Sequence, residues 1–134
     1  MTENLSYDTR ARDIQDLNPI TEKIIGCAYT VSNTLGAGFL EKVYENALAH
    51  ELRKAGLKVE QQRPIQVIYD GVAVGEYFAD LIVEDCVLVE LKASKALDEA
   101  HKLQCINYLK ATGRRVCLLL NFGTSRVEIK RLVF

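Results

Sequence analysis

The chain has 134 residues, enough for one domain with a buried core, and 49% hydrophobic and 26% charged residues are typical of a globular protein. It has no run of about 18 apolar residues, which argues against a membrane-spanning helix. Residues 1–4 do not resemble a secretory signal, so we expect a cytoplasmic protein. The net charge of −1 lacks the basic excess of a non-specific nucleic-acid binder. The four cysteines form no CxxC pair, and we expect buried thiols rather than an iron–sulfur cluster.

The first part of the chain predicts an arm followed by two helices. Residues 1–17 are polar with little periodicity, and we expect a flexible arm there, with a single domain over residues 18–134. Asn18 and Pro19 predict a helix start with Asn18 as the N-cap. A second helix is expected from about residue 40 to residue 55, where Gly56 stops it. Glu41 lies in its first turn, where the helix dipole alone is enough to explain a carboxylate.

The middle of the chain predicts an antiparallel meander of about three strands. Residues 57–61 and 65–69 have strand character, and Asp70-Gly71 signals a tight turn. The returning strand is expected to kink at Gly75 before it continues to residue 83. A helix over residues 98–112, a buried strand over 116–120 and an edge strand over 127–132 then complete the order ααβββαββ. The fold class is therefore α/β (α+β), with a central mixed sheet flanked by helices.

Residues 79–92 predict a hairpin whose apolar strands carry three charged residues, Asp80, Glu90 and Lys92. Glu90 and Lys92 lie two residues apart, so they point to the same face of a strand. Buried charges are costly unless they are paired or bind a metal ion. A divalent cation held by carboxylate oxygens, with the lysine acting on water or phosphate, explains the trio. A salt-bridged network on the surface of the sheet is the alternative.

Strand parity tests this interpretation. If Glu84 and Asp85 alone formed the loop, Asp80 would face away from Glu90. The two carboxylates share a face only if the loop has an odd number of residues or if a bulge shifts the register. We predict one of these two arrangements.

Three sequence motifs occur in order along the chain. Residues 38–44 form a GxxExxY motif, Asp80 and the ExK of residues 90–92 form a D…ExK pattern, and residues 104–108 form a QxxxY motif. The chain therefore resembles the GxxExxY proteins, a bacterial and archaeal family of the PD-(D/E)XK nuclease superfamily, in its RecB-like QxxxY branch. The resemblance covers about residues 20–134. Ala79 stands where the superfamily motif has proline.

The resemblance implies a restriction-endonuclease-like core and Mg²⁺-dependent hydrolysis of phosphodiester bonds in DNA or RNA, with Mn²⁺ as a substitute. Asp80, Glu90 and the backbone carbonyl of Leu91 would bind the ion. Glu41 would complete the acidic cluster, with Glu45, one turn further along, as its alternative.

The resemblance also implies roles for the remaining motif residues. Lys92 would orient or deprotonate the attacking water or stabilise charge on the phosphate. Tyr44, Gln104 and Tyr108 would position the substrate, and the last two would alternatively position Lys92.

Two other functions remain open from the sequence. The chain is a minimal core without a basic excess, which fits a non-cleaving or partner-dependent module that acts as a homodimer or with another protein. A hydrolase of small phosphorylated molecules is the third interpretation.

Overall fold

The computed structural model describes residues 13–134, and its elements follow the predicted order ααβββαββ. The helices are α1 (Asn18–Leu35), α2 (Glu41–Lys54) and α3 (Glu99–Thr112). The strands are β1 (Val59–Tyr69), β2 (Val72–Val83), β3 (Val87–Lys92), β4 (Val116–Asn121) and β5 (Glu128–Val133). None of the helices in residues 13–134 combines the length and the apolar character that crossing a membrane requires.

The five strands form one mixed sheet in the order β1-β2-β3-β4-β5. Strands β3 and β4 are parallel and are connected through α3, whereas the other neighbouring strands are antiparallel. All six residues of β4 are buried, as expected of a strand covered on both faces. Strand β5 lies at the edge of the sheet, also as predicted. The mixed sheet flanked by helices is therefore confirmed.

The helices cover opposite faces of the sheet. Helices α1 and α2 pack against one face, where Leu48 of α2 joins the core that contains Val89. Helix α3 packs against the other face, where Leu109 joins the core that contains Leu88. Because side chains alternate along a strand, Glu90 lies on the same face of β3 as Leu88, toward α3.

The N-terminal boundary differs from the prediction. Residues 1–12 of the predicted arm lie outside the described residues, but Ile14–Leu17 form a 3-10 helix and Leu17 is buried in the core. Asn18 is not an N-cap, because the 3-10 helix leads directly into α1 and the Asn18 side-chain oxygen has no hydrogen-bond partner. Asp13 instead caps the 3-10 helix by accepting a hydrogen bond from the Gln15 N–H.

The long hairpin of β1 and β2 has the turn that the sequence predicts. Asp70 and Gly71 have φ angles of 52° and 74°, as a two-residue hairpin turn with a matching twist requires. The pairing changes register where Val67 faces Gly75, which confirms the predicted kink. Strand β2 pairs with β3 only over residues Leu81 to Val83. The turn end of the β1–β2 hairpin therefore projects beyond β3.

The cysteines match the expectation of buried thiols with one exception. They form no disulfide within the described residues, and Cys86, Cys105 and Cys117 are buried. Cys27 is half-buried on α1.

Candidate active site

Strands β2 and β3 separate at a fork formed by Asp80 and Glu90. Three residues, 84–86, connect the two strands, so Val83 pairs with Val87 and Leu81 with Val89. The odd loop length is one of the two predicted arrangements, and it brings Asp80 opposite Glu90. The prediction that the carboxylates share a face is therefore confirmed by the register of the hairpin.

At the fork, side chains replace the hydrogen bonds of the strand ladder. The Asp80 N–H donates to Glu90 Oε2 at 3.0 Å, and the Leu91 N–H donates to Asp80 Oδ2 at 2.8 Å. Each carboxylate thus accepts a backbone N–H from the opposite strand. These two bonds fix both acids where the sheet opens.

The two carboxylates at the fork lack full compensation by protein cations. Glu90 is only 3% exposed, and burial, followed by the charge of Asp80, raises its pKa to about 9. Burial also raises the pKa of Asp80, although hydrogen bonds from Leu91 and Gln62 act in the opposite direction. Lys92 opposes both shifts without cancelling them. The site therefore presents more buried acid than the cations of residues 13–134 neutralise.

Lys92 is held by two residues of the facing helix. Its Nζ donates to Gln104 Oε1 at 3.1 Å, and Gln104 Nε2 donates to Tyr108 Oη at 3.0 Å. Burial, followed by the charge of Glu90, raises the pKa of Tyr108 to about 12, so its hydroxyl keeps its proton. Gln104 and Tyr108 lie one turn apart on α3, and their contacts match the predicted alternative in which they position the lysine.

A buried corner fixes the backbone after Lys92. Asn121 is fully buried at the end of β4, and its Oδ1 accepts hydrogen bonds from the N–H groups of Ser94 and Gly123 at 3.0 Å each. Its Nδ2 donates to the Ser94 carbonyl oxygen and to Glu128 Oε1 at 2.9 Å each. The side chain of Asn121 thus ties the end of β4 to the chain that leaves β3. The sequence carries no signal for this role.

The two predicted carboxylates of α2, Glu41 and Glu45, differ in their contacts with the fork. Glu41 is exposed, and no hydrogen bond among the described residues joins it to the fork. Glu45 is buried and accepts from Gln62 Nε2 at 2.8 Å, while the same Nε2 lies 3.2 Å from Asp80 Oδ1. The structure thus connects Glu45, the predicted alternative, to Asp80 through Gln62, and it shows no such connection for Glu41 within the described residues.

Gln62 is a site residue that the sequence did not reveal. It has a φ angle of 54°, which is rare for a residue other than glycine, asparagine or aspartate. This strained conformation places its amide between Glu45 and Asp80. Only the proline two residues further along the strand, Pro64, hints at an irregular backbone nearby.

One of three comparisons with known proteins found a match. The family model of the PD-(D/E)XK nuclease superfamily matches residues 18–132. The chain belongs to this superfamily. No curated protein and no solved structure gave a match to the chain. The mixed sheet flanked by three helices is consistent with the restriction-endonuclease-like fold of the PD-(D/E)XK superfamily.

Tyr44 has a different role from the one predicted for this PD-(D/E)XK chain. It is fully buried, so it cannot contact a substrate as predicted. Its hydroxyl donates to the Gly36 carbonyl oxygen at 2.6 Å and accepts from the Phe39 N–H at 3.1 Å. Its ring stacks on Phe122 at 4.9 Å between centroids. Tyr44 therefore holds the loop between α1 and α2 against the core.

The PD-(D/E)XK site can be tested for its fit to a divalent cation. Among residues 13–134, no group of three or more His, Cys, Asp or Glu side chains lies close enough to hold a metal ion. Asp80 and Glu90 nevertheless lie together, and Glu90 Oε1 accepts no hydrogen bond from the described residues. Mg²⁺ commonly takes only one or two carboxylates from the protein and keeps several waters. The two acids fit this ligand set.

Proposed function

We propose that this PD-(D/E)XK chain is a metal-dependent nuclease that hydrolyses phosphodiester bonds in DNA or RNA. The observation that carries the proposal is the fork beside Lys92, where the Glu90 carboxylate accepts from the Asp80 N–H and the Asp80 carboxylate accepts from the Leu91 N–H. Uncompensated buried carboxylates next to a fixed lysine are costly for a protein that uses them only for packing. A divalent cation would relieve that cost.

The roles of the proposed ligands follow from their chemistry. Asp80 and Glu90 would hold Mg²⁺, or Mn²⁺ as its substitute, and the carbonyl of Leu91 would add a third oxygen. The ion would supply Lewis-acid polarisation of the phosphate and lower the pKa of water. Oxygen ligands of this kind favour Mg²⁺ over softer metals.

Lys92 would act on the reacting groups. Its ammonium would orient the attacking water or stabilise negative charge on the phosphate. Gln104 accepts one of its hydrogens and is itself held by the Tyr108 hydroxyl. This chain of contacts would keep the lysine in one orientation, which is the main requirement for catalysis by positioning.

Two finer assignments belong to the same proposal. We infer that Glu45 completes the acidic cluster through Gln62, with Gln62 orienting both carboxylates. We also infer membership in the GxxExxY family and in the QxxxY branch, and the contact between Gln104 and Lys92 supports the second. A cytoplasmic location stays a prediction.

The deciding experiment combines metal binding with cleavage. We would titrate Mn²⁺ into the wild type, Asp80→Ala and Glu76→Ala by calorimetry, and assay the same proteins on single-stranded DNA, duplex DNA and RNA. Glu76 is an exposed carboxylate on the same strand, so its variant is the matched control. The proposal requires that Asp80→Ala lose both metal binding and cleavage while Glu76→Ala keeps both.

The other outcomes separate the alternatives. Metal binding without cleavage of any polynucleotide favours the non-cleaving or partner-dependent module. Hydrolysis of small phosphate esters alone favours the small-molecule hydrolase. Absence of metal binding in the wild type overturns the proposed site.

A further inference from the structure

An open groove lies directly beside the candidate active site. It has a volume of about 740 Å³ and runs between the β1–β2 hairpin and one face of α3. Its walls include Ile68 and Tyr77 from the hairpin and Leu103 from α3. Pockets that bury small organic ligands typically measure roughly 300–1,000 Å³. We call this feature the hairpin groove.

The hairpin groove shares residues with the active site. Gln104 and Tyr108 line it, and Gln104 also accepts the hydrogen bond from Lys92. A ligand in the groove would therefore lie next to the lysine proposed to act on the phosphate. This continuity ties the groove to the substrate rather than to an unrelated partner.

The lining of the hairpin groove leaves large apolar side chains in solvent. Tyr77 is 50% exposed and Leu103 is 59% exposed, although both lie beside the core. The ring of Tyr77 contacts that of Tyr108, with 5.6 Å between centroids, and together they form an aromatic wall. Exposed aromatic rings next to a phosphate-binding site are typical platforms for stacking nucleobases.

The polar groups of the groove suit a base more than a duplex backbone. Asn107 lies in the groove and its side-chain amide makes no hydrogen bond within residues 13–134, so this amide can both donate and accept. Lys110 is the only charged residue among the lining residues. A duplex binder neutralises several phosphates, and a single lysine does not meet that requirement.

We propose that the hairpin groove binds unstacked nucleobases of a single-stranded polynucleotide, with Tyr77 as the stacking platform. The inference rests on the proposed nuclease function and names its substrate class. Bases would enter between the hairpin and α3, and the adjoining phosphate would reach Lys92. Because the net charge of −1 provides no general attraction for phosphates, binding would depend on the local lysines and on base stacking.

The test uses single-stranded DNA that contains 2-aminopurine, whose fluorescence falls when it stacks on an aromatic ring. Binding is measured in EDTA, so that it does not depend on metal or cleavage. We expect Tyr77→Ala to weaken binding by about tenfold and to abolish the fluorescence change, because stacking dominates. Tyr69→Ala removes a tyrosine from the same hairpin outside the groove, and we expect wild-type binding from it.

A second variant guards against an effect on folding. Leu103→Gln changes the opposite wall at an exposed position, so the core is not disturbed. We expect it to weaken single-strand binding as well, with a melting temperature equal to that of the wild type.

The outcomes distinguish this inference from the proposed function. If duplex DNA binds as tightly as the single strand and neither groove variant changes its binding, the groove proposal is overturned, while metal-dependent cleavage can still stand. If single strands bind in the groove but no variant or metal yields cleavage, the nuclease function fails instead. If no polynucleotide binds and Leu103→Gln converts a dimer to a monomer in sedimentation, the groove is a self-association surface and the proposal is wrong.

Discussion

The hairpin of β2 and β3 carries acidic residues in two settings that contrast sharply. In its loop, Asp85 accepts hydrogen bonds from Arg63 and Arg114. Partial burial alone would raise the pKa of Asp85, but the two guanidinium groups outweigh it and lower the pKa. At the fork, no arginine of residues 13–134 bonds to Asp80 or Glu90, and the pKa values of both acids are raised. Arginines neutralise the acid at one end of the hairpin, whereas the acids at the other end are the ones that we propose to bind a cation.

The largest expected effect is a loss of cleavage activity on substitution at the fork but not in the loop of the hairpin. We expect Asp80→Asn to reduce cleavage by roughly 100- to 1,000-fold, as removal of a group that stabilises the transition state typically does. Asp85→Asn, the matched substitution in the loop, should leave the rate per folded molecule unchanged. Rates are compared at saturating Mg²⁺ with the folded fraction measured by circular dichroism. Equal losses of activity in both variants would remove the contrast.

The second expected effect is a loss of folding stability, and here the substitution in the loop of the hairpin is the one that matters. Arg114 is only 5% exposed, and Asp85→Asn would leave its guanidinium without a charged partner. Because the Asp85 side chain is 42% exposed and water shares the interaction, we expect a loss of about 1–3 kcal/mol, less than for a fully buried pair. Urea unfolding measures it, and Glu84→Gln in the same loop is the control.

The pH dependence of this loss has a definite sign. The pKa of Asp85 is lowered in the folded protein, so its ionised form stabilises the fold above its unfolded pKa. That contribution disappears as the pH falls through the folded pKa. The difference in unfolding free energy between wild type and Asp85→Asn should therefore be constant near neutral pH and shrink in acid. A difference that grows in acid would contradict the assignment.

The third effect tests whether Gln104 acts through Lys92. We expect Gln104→Leu to lower kcat by about tenfold with little change in KM, because the lysine loses its orienting partner. Gln104→Glu keeps an acceptor oxygen for the lysine and should restore part of the rate. A change in KM alone would show instead that Gln104 contacts the substrate.

The smallest effect is a gain in stability at the fork. We expect Glu90→Gln to stabilise the metal-free protein by about 1 kcal/mol, since it removes an uncompensated buried acid and keeps an acceptor for the Asp80 N–H. Thermal unfolding in EDTA measures the gain. Added Mg²⁺ should raise the melting temperature of the wild type but not that of the variant. A destabilised variant would show that the fork is already balanced without a cation.

The sequence predicted the parts of the fold and site that depend on local patterns. Charge within an apolar hairpin required Asp80 and Glu90 to share a face, and the odd loop meets that requirement. The QxxxY spacing placed Gln104 and Tyr108 on one face of a helix, where both now contact each other. The antiparallel meander of β1, β2 and β3 followed from turn signals such as Asp70-Gly71.

The errors arose where distant segments decide the role of a residue. Tyr44 lies on the helix face that was predicted to carry site residues. Its ring is buried, however, because it stacks on Phe122, which follows β4 in the chain. Glu41 and Glu45 share one helix face, and only the backbone of Gln62 decides which of them joins the site. No local propensity predicts a positive φ for glutamine.

The corner at Asn121 limits which sequences can support this site. A Cβ on Gly123 would collide with the backbone of Ser94 and Ala93, so even alanine would displace the segment that follows Lys92. Position 123 therefore accepts a single amino acid as long as Asn121 holds Ser94. The backbone that leaves β3 after Lys92 can therefore take a new course only if position 121 or 123 changes with it. Two residues without reactive groups thus restrict which substitutions this part of the chain tolerates.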